Sequence, residues 1–115
     1  MEDLEEAGSN VRELGLFARE GKWDIVYIKA VDALTHCRSA ISNWDDQPAS
    51  RSMKNKLNSA TTITRTIADL TANSAARPPD NNQRGKILRS QLDVGEVLGT
   101  VIGHIQKMRR RVTEP

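Results

Sequence analysis

Residues 53–70 read MKNKLNSATTITRTIADL, and the fold turns on whether TTITRTI, at 61–67 within it, is a strand or part of a helix. The run alternates apolar and polar side chains and is rich in β-branched residues, the usual pattern of a half-buried strand. Yet Met53, Leu57, Ala60, Ile63, Ile67, Leu70 and, beyond the stretch, Ser74 recur at three- and four-residue spacing, which lines one face of a helix. No second segment offers itself as a partner strand. The stretch is therefore predicted helical, with packing rather than propensity holding Thr64 and Thr66 in place.

The same spacing extends in both directions. Upstream, Leu4, Ala7, Val11, Leu14, Phe17 and Ala18 define a first amphipathic helix over residues 2–19. Gly21 is placed to end it as a C′ residue, and Asp24 to cap the next helix or sit in its first turn. Trp23, Val26, Ala30, Ala33, Leu34, Cys37, Ala40, Ile41 and Trp44 carry one stripe along helix 2 as far as DDQP. Asp45 or Asp46 is expected to cap helix 3, with Pro48 in its first turn, where a missing N–H is harmless. Helix 3 is predicted to run on to Arg77, before PPDNNQ breaks the chain. Ile87, Val94, Leu98, Val101, Ile105, Met108 and Val112 form the last stripe. Breaks near 20–23, 45–49 and 77–83 leave four helices. The prediction is an all-α, up-down-up-down four-helix bundle, with residues 1–115 as one domain.

Composition agrees. At 115 residues and 37% hydrophobic content there is material for one modest core. The four aromatics, Phe17, Trp23, Tyr27 and Trp44, all precede residue 45, so the second half must pack with aliphatic side chains and alanine. The opening MEDLEEAG puts acids where a signal peptide needs bases, and no apolar window is long enough for a membrane span. With a lone thiol at Cys37, the expectation is a soluble cytoplasmic chain in a reducing setting.

A net charge of +2 conceals an asymmetry. Residues 1–46 carry ten acids and five bases, residues 47–115 five acids and twelve bases. In the predicted topology EDLEE at the start of helix 1 lies beside KMRRR at the end of helix 4, each at the favourable pole of its helix dipole. Exposed pairs of this kind contribute only about 0–1 kcal/mol each and set register more than stability.

Helix 4 contains DVGEVLGTVIGHI at 93–105, with Gly95, Gly99 and Gly103 four residues apart. Each interior glycine costs a helix roughly 1 kcal/mol relative to alanine, so the row needs a reason. With Leu88, Leu92 and Ile102 the glycines make a smooth strip beside the main apolar seam, where another backbone or a bulky side chain can approach closely. Three readings stand: Phe17, Trp23 or Trp44 lies in the strip from inside the bundle; a homodimer forms across helix 4; or the glycines loosen the helix for a motion.

Catalytic and metal chemistry find little support. His36 and Cys37 are adjacent and so diverge on a helix, and no second Cys–His pair completes a zinc site. His104 stands alone beside Gly103. Asp45 and Asp46 read as capping acids, and no Walker loop, nucleophile elbow or dinucleotide fingerprint is present. The opening hairpin LFAREGKWDIVYIKAVDALTHCRSAI resembles those of many helical bundles, the HEPN ribonuclease bundles among them. That resemblance implies an Arg followed four to six residues later by a His, and neither His36 nor His104 has such an arginine. No enzyme activity, metal, cofactor, membrane contact or small-molecule substrate is therefore expected.

Two kinds of binding remain. One is an interaction or assembly module, with a dimer or a protein partner seated on Leu92, Gly95, Gly99, Ile102 and Gly103. The other is backbone-directed, sequence-independent binding of duplex RNA or DNA. For the latter Arg51, Lys54, Asn55, Asn58, Thr62 and Arg65 supply one polar side of helix 3, extended by Arg84, Lys86 and Arg89 and by Arg109, Arg110 and Arg111. The basic half has no aromatic for base stacking, which disfavours single-stranded recognition. A solvated helix face explains the same basic residues, and the interaction module is the favoured reading.

Overall fold

The computed structural model describes residues 1–47 and 50–113. Four helices follow one another, α1 (Glu2–Arg19), α2 (Trp23–Ser42), α3 (Arg51–Thr71) and α4 (Asn81–Thr113), with one 3-10 turn at Trp44–Asp46. Each packs on the next and α4 closes against α1, which is the predicted up-down-up-down bundle. The molecule measures 56 × 22 × 19 Å. Its slenderness follows from alanine: Ala7, Ala33, Ala40 and Ala60 sit in one core cluster, and Ala18, Ala30 and Ala68 in the other, where larger side chains would hold the helices apart.

TTITRTI is helical throughout, within α3. Its hydroxyls explain how: Thr61, Thr62, Thr64 and Thr66 each donate to the carbonyl four residues earlier, at 2.8, 3.1, 2.8 and 3.2 Å. The helix thereby satisfies side chains that would otherwise compete for its backbone. Thr64 is fully buried by the same device.

The joints hold local corrections. Between α1 and α2, Gly21 takes φ +72° as expected. Its N–H donates to Ala18 O at 3.2 Å and that of Lys22 to Phe17 O at 3.0 Å, a complete Schellman cap. Asp24 lies in the first turn of α2, one of the two places foreseen for it. The second helix stops at Ser42, and Trp44, expected on its stripe, is instead buried from the 3-10 turn. The cap of α3 is not Asp45 but Ser50, its Oγ accepting from the N–H of Met53 at 3.4 Å, and the side chain of Asp46 lies outside the described residues. Pro48 and the side chain of Val112 lie outside the described residues.

The third helix ends at Thr71, six residues short of Arg77, and residues 72–76 run in successive turns closed by Ser74 N–H to Thr71 O and Arg77 N–H to Asn73 O. Ala72, Asn73, Ala75, Ala76 and Arg77 are exposed there and bury no apolar face that would reward a further turn of helix. PPDNNQ ends the break as well as making it. Asp80 and Gln83 form a reciprocal capping box, Gln83 N–H to Asp80 Oδ1 at 2.8 Å and Asp80 N–H to Gln83 Oε1 at 3.0 Å, so α4 begins inside the supposed breaker.

Candidate interaction surface

The glycine strip divides in two. A Cβ at Gly95 would stand 3.9 Å from Val11 Cγ1, ordinary contact, and Gly95 is half-buried against α1. Gly99 and Gly103 are exposed, and a Cβ on either would meet nothing within 4 Å. No aromatic fills the strip. Trp44 is buried in the core cluster around Leu4 and Leu98, and Phe17 and Trp23 pack on the cluster around Leu14 and Ile87. The aromatic-in-groove reading is thereby overturned, because Phe17, Trp23 and Trp44 all pack elsewhere in the bundle.

Ile102 also leaves the strip. It is half-buried against the core, its Cδ1 only 3.9 Å from where a Gly8 Cβ would stand. Leu92 remains on the outside, 59% exposed, and Leu16 of α1 is 57% exposed. Gly15 meets Gln91 across the α1–α4 seam, and the two leucines are the next residues along, so both leave the seam at one level and on its outer side. Leu92, Gly99 and Gly103 thus form an outward face of α4, with Leu16 beside it.

What the sequence reading missed lies under that face. Gly8 and Gly15 of α1 are buried at the seam with α4. Gln91, 8% exposed, lays its amide over Gly15 and donates from Nε2 to the Val11 carbonyl at 3.1 Å. A Cβ at Gly15 would lie 2.6 Å from Gln91 Cδ, inside any tolerable contact. The signal was available: Gly8 and Gly15 are seven residues apart, hence on one face, and Gln91 occupies an apolar-stripe position between Ile87 and Val94.

The basic residues fall into separate groups. On α3, Arg51, Asn58 and Arg65 are exposed and Lys54 is half-buried. In the early turns of α4 Lys86 and Arg89 are exposed, whereas Arg84 donates from Nη2 to the Arg19 carbonyl at 3.3 Å and lies 5.8 Å from the Trp23 ring centroid. Arg109, Arg110 and Arg111 stand about 30 Å further along the helix at 1.5 Å per residue. There Arg109 Nη2 donates to Gln47 Oε1 at 2.9 Å, and Met1, Glu5, Gln106, Arg109 and Arg110 line one open hollow. That hollow brings the two chain ends together as the charge layout implied.

Of the residues with chemical potential, His36 Nδ1 is 2.9 Å from Asp3 Oδ1, a half-exposed tie between α1 and α2. Cys37 is buried, and burial pushes its thiol up to about 11 against a weaker lowering by the Thr61 hydrogen bond. Among the described residues no group of three or more His, Cys, Asp or Glu could hold a metal ion, and no helix is long and apolar enough to cross a membrane. A second apolar exposure, Tyr27 and Ile28, borders a shallow hollow against the turns at 72–76. Comparison of the chain with protein-family models, curated proteins and solved structures gives no match.

Proposed function

We propose that this chain is a non-enzymatic interaction module that self-associates through the outer face of α4. The observation that carries the reading is the pairing of Leu92, 59% exposed, with two exposed glycines that no side chain of the bundle approaches. A bare backbone strip beside a projecting leucine offers both close approach and apolar area, and Leu16 widens the area at the same level. A closed two-fold dimer is the simplest assembly such a self-complementary face makes. A reducing, cytoplasmic setting belongs to the same proposal and is supported by the lone, buried thiol of Cys37. Duplex nucleic acid is the less favoured partner, because the basic residues are parted between α3 and the two ends of α4 and Arg84 and Arg109 already serve intramolecular carbonyls.

Sedimentation equilibrium is the test. The wild-type chain is expected to dimerise, and Gly99→Leu and Leu92→Glu to shift it toward monomer. A wild-type protein that stays monomeric at high concentration refutes the reading. Retardation of a generic duplex at low salt, falling with a log-log slope of about −0.9 per phosphate contact, would transfer the function to the basic residues.

A further inference from the structure

The order of charges along the outer face of α4 gives self-association a direction. Asp93 and Glu96 directly precede the bare glycines and Lys107 follows them, all three exposed, with Arg89, also exposed on that flank, about two turns before Glu96. Among the described residues none of the three enters an ion pair within the chain. Glu96 and Lys107 are eleven residues apart, three helical turns to within about 20°. They therefore stand on the same flank of the face, with Gly99 and Gly103 between them.

Laid parallel, a second α4 would set Glu96 level with Glu96 and Lys107 level with Lys107. Laid antiparallel about a two-fold axis at the level of Val101, it reverses the order. Each Glu96 then comes within one residue, about 1.5 Å along the axis, of the level of the partner's Lys107, twice by symmetry, with Asp93 one turn away. The same axis brings Gly99 level with the partner's Gly103, so the positions without Cβ atoms coincide where the helices cross. Two independent features, the charge order and the spacing of the glycines, have midpoints only half a residue apart. A two-fold axis perpendicular to both helices also keeps each flank facing its own counterpart, so Glu96 and Lys107 meet rather than pass on opposite sides.

We infer that the partner on this face is a second copy of the chain, packed antiparallel with Gly99 against the partner's Gly103 and Glu96 against the partner's Lys107. The inference rests on the self-association proposed above and adds its direction and register. Exposed pairs of this kind contribute modestly; they favour the antiparallel orientation because only there do opposite charges meet on one flank.

Two measurements test it, each on the full chain with the fold checked by circular dichroism. In the first, Glu96→Lys and Lys107→Glu are each expected to weaken the dimer about tenfold, and the double exchange to restore it. In the second, Gly99→Cys and Gly103→Cys proteins are oxidised alone and as a mixture. The register predicts a disulfide-linked species in the mixture and little in either protein alone, because Gly99 and the partner's Gly99 are offset by about 6 Å along the axis in addition to the spacing between helices. Cys37 is buried and adds little background. A dimer that cross-links through Gly99→Cys alone, or that ignores both charge reversals, overturns the register while leaving self-association standing. A chain that never dimerises overturns both.

Discussion

Replacing Gly15 by alanine should destabilise this protein, although the same exchange at an open helical position stabilises. In a helix interior, glycine to alanine gains about 1 kcal/mol. At Gly15 the new methyl would lie 2.6, 2.7 and 2.8 Å from Cδ, Nε2 and Oε1 of Gln91, so the whole amide must move. The amide is buried and held by its hydrogen bond to the Val11 carbonyl at 3.1 Å. Dislodging it leaves a buried donor and acceptor unsatisfied, a cost of about 1–3 kcal/mol, with a further ~1–3 kcal/mol for overpacking. Against the propensity gain the net is a loss of about 1–5 kcal/mol. The control is Gly85→Ala on α4, where a Cβ meets nothing within 4 Å and the full gain of up to ~1 kcal/mol applies.

Urea denaturation followed by far-UV circular dichroism measures both, compared at midpoint and slope. The two variants should move in opposite directions. Gly15→Ala combined with Gln91→Ala removes the clash together with the amide, so the double variant should be more stable than the sum of the singles by at least about 1 kcal/mol. If Gly15→Ala stabilises as Gly85→Ala does, the seam between α1 and α4 is not locked by Gln91 and the account of the buried glycines fails.

Asp80→Ala removes half of the reciprocal box that starts α4 and should cost about 1 kcal/mol, with faster hydrogen exchange confined to residues 81–84; no change in exchange there would reject the cap. Gly21→Ala forces a side chain into φ +72° and should cost about 1 kcal/mol; a neutral result in thermal melts would mean the α1–α2 joint has another geometry. For Cys37 the sign is set by burial: the neutral thiol is favoured in the fold, and its value rises from 9.0 to about 11. The unfolded chain ionises first, so stability falls as pH rises above about 9 and levels off above about 11, a loss on the order of 2–3 kcal/mol. Comparison of wild type with Cys37→Ala from pH 8 upward isolates this group, and parallel stability curves would refute it.

The helices were legible because apolar spacing is set by burial on one face, and burial is what forms them. The threonine-rich stretch of α3 shows this, since Thr64 looks like strand in composition yet holds its place on the stripe and bonds its hydroxyl to Ala60 O. Helix ends depend on local hydrogen bonds instead. The box between Asp80 and Gln83 was hidden by the neighbouring prolines, and the alanines at 72, 75 and 76 suggested a continuation with nothing to bury. The strip on α4 was visible as a spacing, but its division was not. Which of Gly95, Gly99 and Gly103 faces inward depends on the rotation of α4 against α1, fixed by Gln91 on Gly15 and Ile102 on Gly8. Those contacts join residues more than 70 positions apart, and no local pattern records them.

That division separates glycines the fold uses from glycines it does not. Gly15 sits where α1 and α4 come together and leaves no room for a Cβ, whereas Gly8 and Gly95 at the same seam would hold one in ordinary contact. Gly99 and Gly103 make no close approach within the chain, yet each still costs about 1 kcal/mol relative to alanine. Against a domain stability of about 5–15 kcal/mol that is a sizeable loss; Gly85 is equally open, so what sets Gly99 and Gly103 apart is their place on the outer face that the exposed Leu92 shares. One variant reads both sides of this argument. Leucine ranks just below alanine as a helix former, so Gly99→Leu should raise the stability of the monomer by a few tenths to about 1 kcal/mol, measured at dilutions well below the dissociation constant of the dimer. The same change sets a bulky side chain where the partner's Gly103 is to lie and should weaken association at least tenfold. Opposite signs in the two assays are the expected signature of a residue kept for contact between molecules. A Gly99→Leu protein that gains stability and associates as before would show that this glycine serves no partner.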